Sequence, residues 1–187
     1  MKFGLIVPCC WIVFLLYWVA SASSVKAAAK RQSWIKSLTH RVPVGLSYWL
    51  LLVPDLPGPL PVAVIPDAAL VRPLGVAICV CGLLGAIWSR RTLAGNWSSD
   101  VQFKQEHELV SRGPYRFVRH PIYTSLLLMG LGTAIAANRL GALAGLLSLF
   151  AGVWIKLRQE EKLLLQHFPD DYPAYKARVK ALVPFIF

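Results

Sequence analysis

Four stretches of this chain, residues 3–22, 73–88, 121–137 and 140–155, run for 16 to 20 residues without one charged side chain. At 1.5 Å per residue a helix of that length crosses about 30 Å of hydrocarbon. The chain therefore reads as an all-α integral membrane protein, and its make-up agrees: 56% of its residues are apolar and only 16% charged. Its 187 residues suit a single membrane-embedded domain. Only Asn138 and Arg139 separate the last two runs, which predicts a tight helical hairpin. A fifth run, residues 42–53 (VPVGLSYWLLLV), is too short to span alone. Extended back toward Trp34 it becomes long enough and sets Lys36, His40 and Arg41 at the interface.

Charge gives a second line of argument, because cytoplasmic loops collect Lys and Arg. With five crossings and the N-terminus outside, the inner segments are 23–41, 89–120 and 156 onward, which hold five, six and six basic residues, 17 of the 20 in the chain. Lys2, Arg72 and Arg139 remain outside, and the proline-rich link PDLPGPLPVAVIP (54–66) reads as a broken, non-helical loop on that outer side. A multi-pass protein with a cytoplasmic C-terminus follows. The net charge of +11 is then accounted for by topology and anionic lipid headgroups. No basic stripe interleaved with aromatics calls for nucleic acid. The first apolar run ends in VASAS, which resembles a signal cleavage site, but the positive cluster follows the run instead of preceding it, so we read a retained span.

Some recurring residues carry packing and no chemistry. Cys9, Cys10, Cys79 and Cys81 lie inside apolar runs, lack the spacing of a metal site and behave as small hydrophobes. Gly75, Gly82, Gly85, Gly141, Gly145 and Gly152 are the small residues that let helices approach closely in lipid. No metal site is expected.

The chain changes character near residue 89. Residues 1–88 are membrane helices and their link, and the second half alternates polar with apolar segments. Two constellations stand out there. HELVSRGPYRFVRHPIY (107–123) starts in a polar loop and ends inside a helix: Gly113 and Pro114 force a turn, and Pro121 suits a first helical position. His120, Pro121 and Tyr123 thus sit at a helix N-terminus, where backbone N–H groups attract an anion. Arg112, Arg116 and Arg119 read as snorkelling anchors at the boundary. Beyond the fifth span, KLRQEEKLLLQHFPDDYPAYKARVKALVPFIF (156–187) carries an apolar stripe of Leu157, Leu164, Leu165 and Phe168. Glu160 follows Lys156 by four residues and Glu161 follows Arg158 by three, so each acid can share a helix face with a base. As surface pairs these contribute about 0.3 to 0.5 kcal/mol each. Two carboxylates beside a basic helix start also make a pocket with both signs of charge, which suits a zwitterionic ligand.

His107 to Val110, Gly113 to Tyr115, Arg119 to Tyr123, and EE-x-x-L-x-x-x-F from Glu160 to Phe168 with Tyr172 and Tyr175 resemble the isoprenylcysteine carboxyl methyltransferase family over roughly residues 70 to 187. The RHP-x-Y element alone is moderately specific. Followed 37 residues later by EE-x-x-L, past a helical hairpin, it is strong. The resemblance implies a membrane enzyme dependent on S-adenosyl-L-methionine, with residues 89–187 as its cofactor-binding part. Carried over position by position, His107, Glu108, Leu109, Val110, Tyr115, His120, Pro121, Ile122 and Tyr123 would line the cofactor, and Glu160 would hold its ammonium group. The family's substrate arginine falls four residues before that glutamate. Here that position is Lys156 and the nearest arginine is Arg158, so these two would orient the substrate and, with Glu160, make up the catalytic set. A lysine is a point charge where arginine is a planar fork.

Methyl transfer from a sulfonium is an in-line displacement that mainly requires alignment and exclusion of water. A carboxylate or thiolate acceptor needs no general base, whereas a protonated amine does; His107, His120 and the glutamates are the available bases. That favours O- or S-methylation over N-methylation, and the resemblance implies carboxyl O-methylation of a lipidic or prenylcysteine-like substrate entering from the bilayer. Alternatives are a phospholipid N-methyltransferase, a small-thiol S-methyltransferase, an NADPH-dependent membrane reductase with a similar RHP-type region, and a non-enzymatic membrane scaffold.

Overall fold

The computed structural model describes residues 5–22, 28–30, 34–53, 57–65, 69–94, 103–104 and 109–186. Six α-helices carry the fold: α1 (Ile6–Ala22), α2 (Trp34–Leu52), α3 (Val71–Leu93), α4 (Pro121–Ala137), α5 (Leu140–His167) and α6 (Asp171–Arg178). The chain is all-helical in class, as expected, with one short extended pairing beside the helices. Ala28–Lys30 (β1) pairs antiparallel with Phe103–Lys104 (β2), joining the link after α1 to the segment after α3. Neither strand has the length or alternation that marks a strand in sequence.

α4 begins at Pro121 and ends at Ala137, as the proline and the Asn138–Arg139 corner predict. Asn138 closes it in the left-handed conformation, φ 45°. α2 takes in the whole extension back to Trp34, with Pro43 inside the helix. α5 runs on without a break from its apolar part into the polar EEKLLLQH segment. α3 and α5 are each long and apolar enough to cross a bilayer, and α1 and α4 are shorter apolar helices. Leu16, Val19, Leu74, Leu84 and Leu147 are exposed around the bundle. An apolar belt of this kind is stable against lipid and a liability in water.

Two helix pairs build the bundle, α3 against α4 and α2 against α5. Glycine sets both approaches. A Cβ on Gly132 would stand 2.4 Å from the backbone N of Cys79, and one on Gly152 would stand 2.7 Å from Val44 Cγ2 and 3.0 Å from the carbonyl O of His40. The core between the pairs holds Trp11, Phe14, Cys79, Met129, Ala142 and Leu149. Polar contacts cross between helices there: the Trp11 indole N–H donates to Thr133 Oγ1 at 3.0 Å, and Cys79 Sγ lies 3.9 Å from the same hydroxyl. At the α4–α5 corner the proline-rich link folds back on the hairpin. Leu140 N and Gly141 N donate to the carbonyls of Val62 and Leu60, and Asn138 exchanges hydrogen bonds with the backbone of Ile65.

The opposite end of the bundle is where the polar residues converge. Arg90, near the end of α3, is buried and donates to the carbonyls of Ala94 and of Ser21 at the end of α1. The ends of α1, α3 and α5 and the starts of α2 and α4 therefore meet on one side.

Candidate active site

The approach to α4 is a tightly held turn. Gly113, at φ 60°, opens a 3-10 turn over Gly113–Arg116, and a Cβ there would also press on Thr92 at 3.1 Å. Tyr115 is buried beneath it, its O–H 3.5 Å from the carbonyl of Ser89 on α3, and its own carbonyl accepts the Tyr175 O–H at 2.5 Å. Burial pushes the Tyr175 phenol up to about 12 and raises Tyr115 further, so both are neutral donors at physiological pH. Residues 180–182 then lie alongside the turn: Arg119 N donates to Lys180 O at 2.8 Å, His120 N to Ala181 O at 3.0 Å, and Thr124 Oγ1 to Leu182 O at 2.7 Å. His120 occupies the N-cap of α4 without a side-chain cap bond, and Pro121 is the first helical residue.

Adjacent glutamates on α5 divide the charge between two tasks. Glu161 is buried, and both its oxygens are engaged: Oε1 accepts from Arg119 Nε at 2.9 Å and from its Nη2, and Oε2 accepts from Lys176 Nζ at 2.7 Å. Burial raises its carboxyl, but the bonds from His120, Lys176 and Arg119 outweigh that and hold it well below the usual carboxylate range. Glu160 points the other way. Its Oε1 accepts the Tyr123 O–H at 2.5 Å, its Oε2 lies 3.7 Å from His120 Nδ1, and Lys156 Nζ is 4.0 Å off along the helix. The His120 and Tyr123 rings stack, 5.5 Å between centroids, and keep both groups aimed at Glu160.

These contacts correct two expectations. Arg119 is no membrane anchor: its guanidinium is buried and bridges Glu161 to the carbonyls of Lys176 and Val179. Glu161 does not pair with Arg158: its oxygens are taken by Arg119 and Lys176, and the exposed Arg158 guanidinium lies 4.8 Å over the Trp154 ring. Arg116 does stand at the surface, over Phe117. Of the residues expected at the cofactor, Tyr115, His120, Pro121, Ile122, Tyr123 and Glu160 gather at the start of α4, and Leu109 and Val110 lead into it half-buried. His107 and Glu108 lie outside the described residues. Lys156 joins the group and Arg158 does not.

A cavity of about 340 Å³ adjoins Tyr123 and Lys156, walled by His40, Val44 and Tyr48 of α2, Leu126 of α4 and Val153 of α5. That volume is within the roughly 300 to 1,000 Å³ of small-molecule sites. Sequence reasoning missed α2's part in it, since His40 and Arg41 read there only as interface residues.

The fold, an intramembrane helical bundle with ionisable groups gathered at one end, is that of a known class. The phospholipid methyltransferase family model matches residues 70–171, and the chain belongs to that family. Among curated relatives it is similar to a probable protein-S-isoprenylcysteine O-methyltransferase of Oryza sativa subsp. indica, 32% identical over 46% of this chain and 46% of that one. The protein-S-isoprenylcysteine O-methyltransferase of Saccharomyces cerevisiae is 30% identical over 60% of this chain and 48% of its own, and the Homo sapiens protein of that name 30% over 51% and 34%. The chain thus spans about half the length of the first two and about a third of the last. A solved eukaryotic intramembrane Ras methyltransferase, isoprenylcysteine carboxyl methyltransferase, shares the fold with a TM-score of 0.58 at 23% identity, over 81% of this chain and 52% of that one.

Proposed function

We propose that the chain is a membrane methyltransferase that uses S-adenosyl-L-methionine to methylate the carboxylate of a prenylcysteine-like amphiphile. The observation that carries this reading is Glu160, held by Tyr123 and faced by His120 at an uncapped helix start, within the residues that the family model matches. The names of the relatives support it. The site also suits the cofactor's amino-acid end: Glu160 for the ammonium and the backbone N–H groups at the start of α4 for the carboxylate, while the buried His120 Nε2 faces Glu161 Oε1 at 3.5 Å.

Bound there, S-adenosyl-L-methionine would supply a methyl group on a cationic sulfur. The residues' work is alignment. His120 and Tyr123 fix Glu160; Lys156, rather than the outward Arg158, stands between Glu160 and the cavity to orient an anionic acceptor. A carboxylate acceptor arrives without a proton to lose, so the site needs no general base. Among the described residues no Asp or Glu lines the cavity, whereas Arg41, His40 and Lys156 do, which favours an anionic head over an amine. Five crossings with a cytoplasmic site fit the 17 of 20 basic residues on one side and the shared end of the helices.

Calorimetry in detergent tests the reading. S-adenosylhomocysteine is expected to bind and NADPH is not. The reverse preference would support a reductase, and binding of neither would reduce the motif to an anchor.

A further inference from the structure

His40 sits in α2, outside residues 70–171, and neighbours Gln159 and Lys156 of α5 at the edge of the site built around Glu160. It is 3% exposed, yet its Nδ1 has no hydrogen-bond partner. Leaving a buried imidazole nitrogen without a partner is costly, and the same residue lines the cavity beside Lys156. The cavity it lines has a divided surface. His40, Arg41 and Lys156 lie toward its polar end, and Val44, Leu126, Val153 and the bare backbones of Gly45 and Gly152 form the rest. Lys156 alone is a point charge that cannot fix the plane of a carboxylate, whereas two donors on different helices can.

Resting on the methyltransferase reading above, we propose that His40 binds the acceptor directly. The carboxylate of an anionic amphiphile lies between His40 on α2 and Lys156 on α5, with its hydrocarbon part along Val44, Leu126 and Val153. α2 thereby supplies acceptor selectivity, while α4 and α5 hold the cofactor.

The test compares S-farnesylcysteine with its methyl ester, which keeps the chain and removes the charge, on the full-length protein in detergent. Wild type should bind the free acid about tenfold tighter than the ester, the scale of one charged hydrogen bond. His40→Ala should lose most of that preference by weakening the acid alone, and His40→Asn, which keeps a donor, should retain it within about threefold. S-adenosylhomocysteine affinity should stay unchanged in both variants, which also certifies their folding. Undiminished preference in His40→Ala, or an equal loss of acid and ester, overturns the proposal and leaves the methyltransferase reading standing. Failure of wild type to bind the acid while it binds S-adenosylhomocysteine removes the acceptor assigned above and this proposal with it.

Discussion

Arg119 grips Glu161 from the residue pair just before α4, and both side chains are almost wholly shut off from solvent, 7% and 6% exposed. The pair locks the turn before α4 onto α5, and Lys176 extends the lock to α6. Two positions that read in sequence as a membrane anchor and a surface ion pair are thus the fastening of the whole polar end.

Breaking that fastening should damage the fold before it damages chemistry. Arg119→Ala leaves Glu161 short of its main partner, and loss of one member of a buried pair costs about 3 to 5 kcal/mol. A clear fall in melting temperature is expected in detergent, with Arg116→Ala, exposed over Phe117, close to wild type. Equal melting temperatures for the two variants would return Arg119 to the role of anchor.

The adjacent glutamates should separate cleanly. Glu160→Gln is expected to weaken S-adenosylhomocysteine binding by about 1.5 to 3 kcal/mol with little change in melting temperature, since it removes a charged hydrogen-bond acceptor from a half-open position. Glu161→Gln should do the opposite. Titration calorimetry beside thermal melts decides, and a binding defect confined to Glu161→Gln would exchange the assignments.

Glu161 also sets an expected pH dependence. Its carboxyl is held below the ordinary range in the folded protein, so the stability it adds is fully present above about pH 4.3, the unfolded value, and is lost as pH falls toward the lower folded value. The melting-temperature gap between wild type and Glu161→Gln should be constant from about pH 6 to 8 and narrow below about pH 4. A gap that widens on acidification would contradict the ion-pair account.

Helix approach gives a separate prediction. Gly132→Val puts carbon where the α3 backbone already lies, 2.4 Å from Cys79 N, and neither backbone can yield cheaply. Loss of folded protein is expected on size-exclusion chromatography. Gly45→Ala meets nothing within 4 Å and should be tolerated.

The helices were legible because their determinants are local. Pro121, the Asn138–Arg139 corner and the uncharged runs mark both ends of α4 and the start of α5 without any knowledge of neighbours. The family resemblance of RHP-x-Y and EE-x-x-L named His120, Tyr123 and Glu160 together, and the three side chains are neighbours. What stayed hidden depends on contacts far apart in the chain. Lys176 bonds Glu161 only because α6 folds back, and residues 180–182 flank 118–120 through backbone atoms that carry no signature in their side chains. His40 escaped notice for the same reason: a lone histidine near the start of a span looks like any boundary residue until α5 is seen beside it.

The corner at Asn138 lies at the far end of the bundle from Tyr123 and Lys156, and it joins the α3–α4 pair to the α2–α5 pair. The two pairs are like the covers of a book with its spine at that corner and the cavity along its fore-edge. α4 is 17 residues long, about 25 Å from spine to opening. At that radius each degree of hinge angle moves the Lys156 side relative to the Tyr123 side by about 0.4 Å. The covers are held at both edges, by the proline-rich link clasped onto Asn138, Leu140 and Gly141 at the spine and by the Arg119–Glu161 and Tyr123–Glu160 contacts at the fore-edge, so the gap keeps its width only while both fastenings hold.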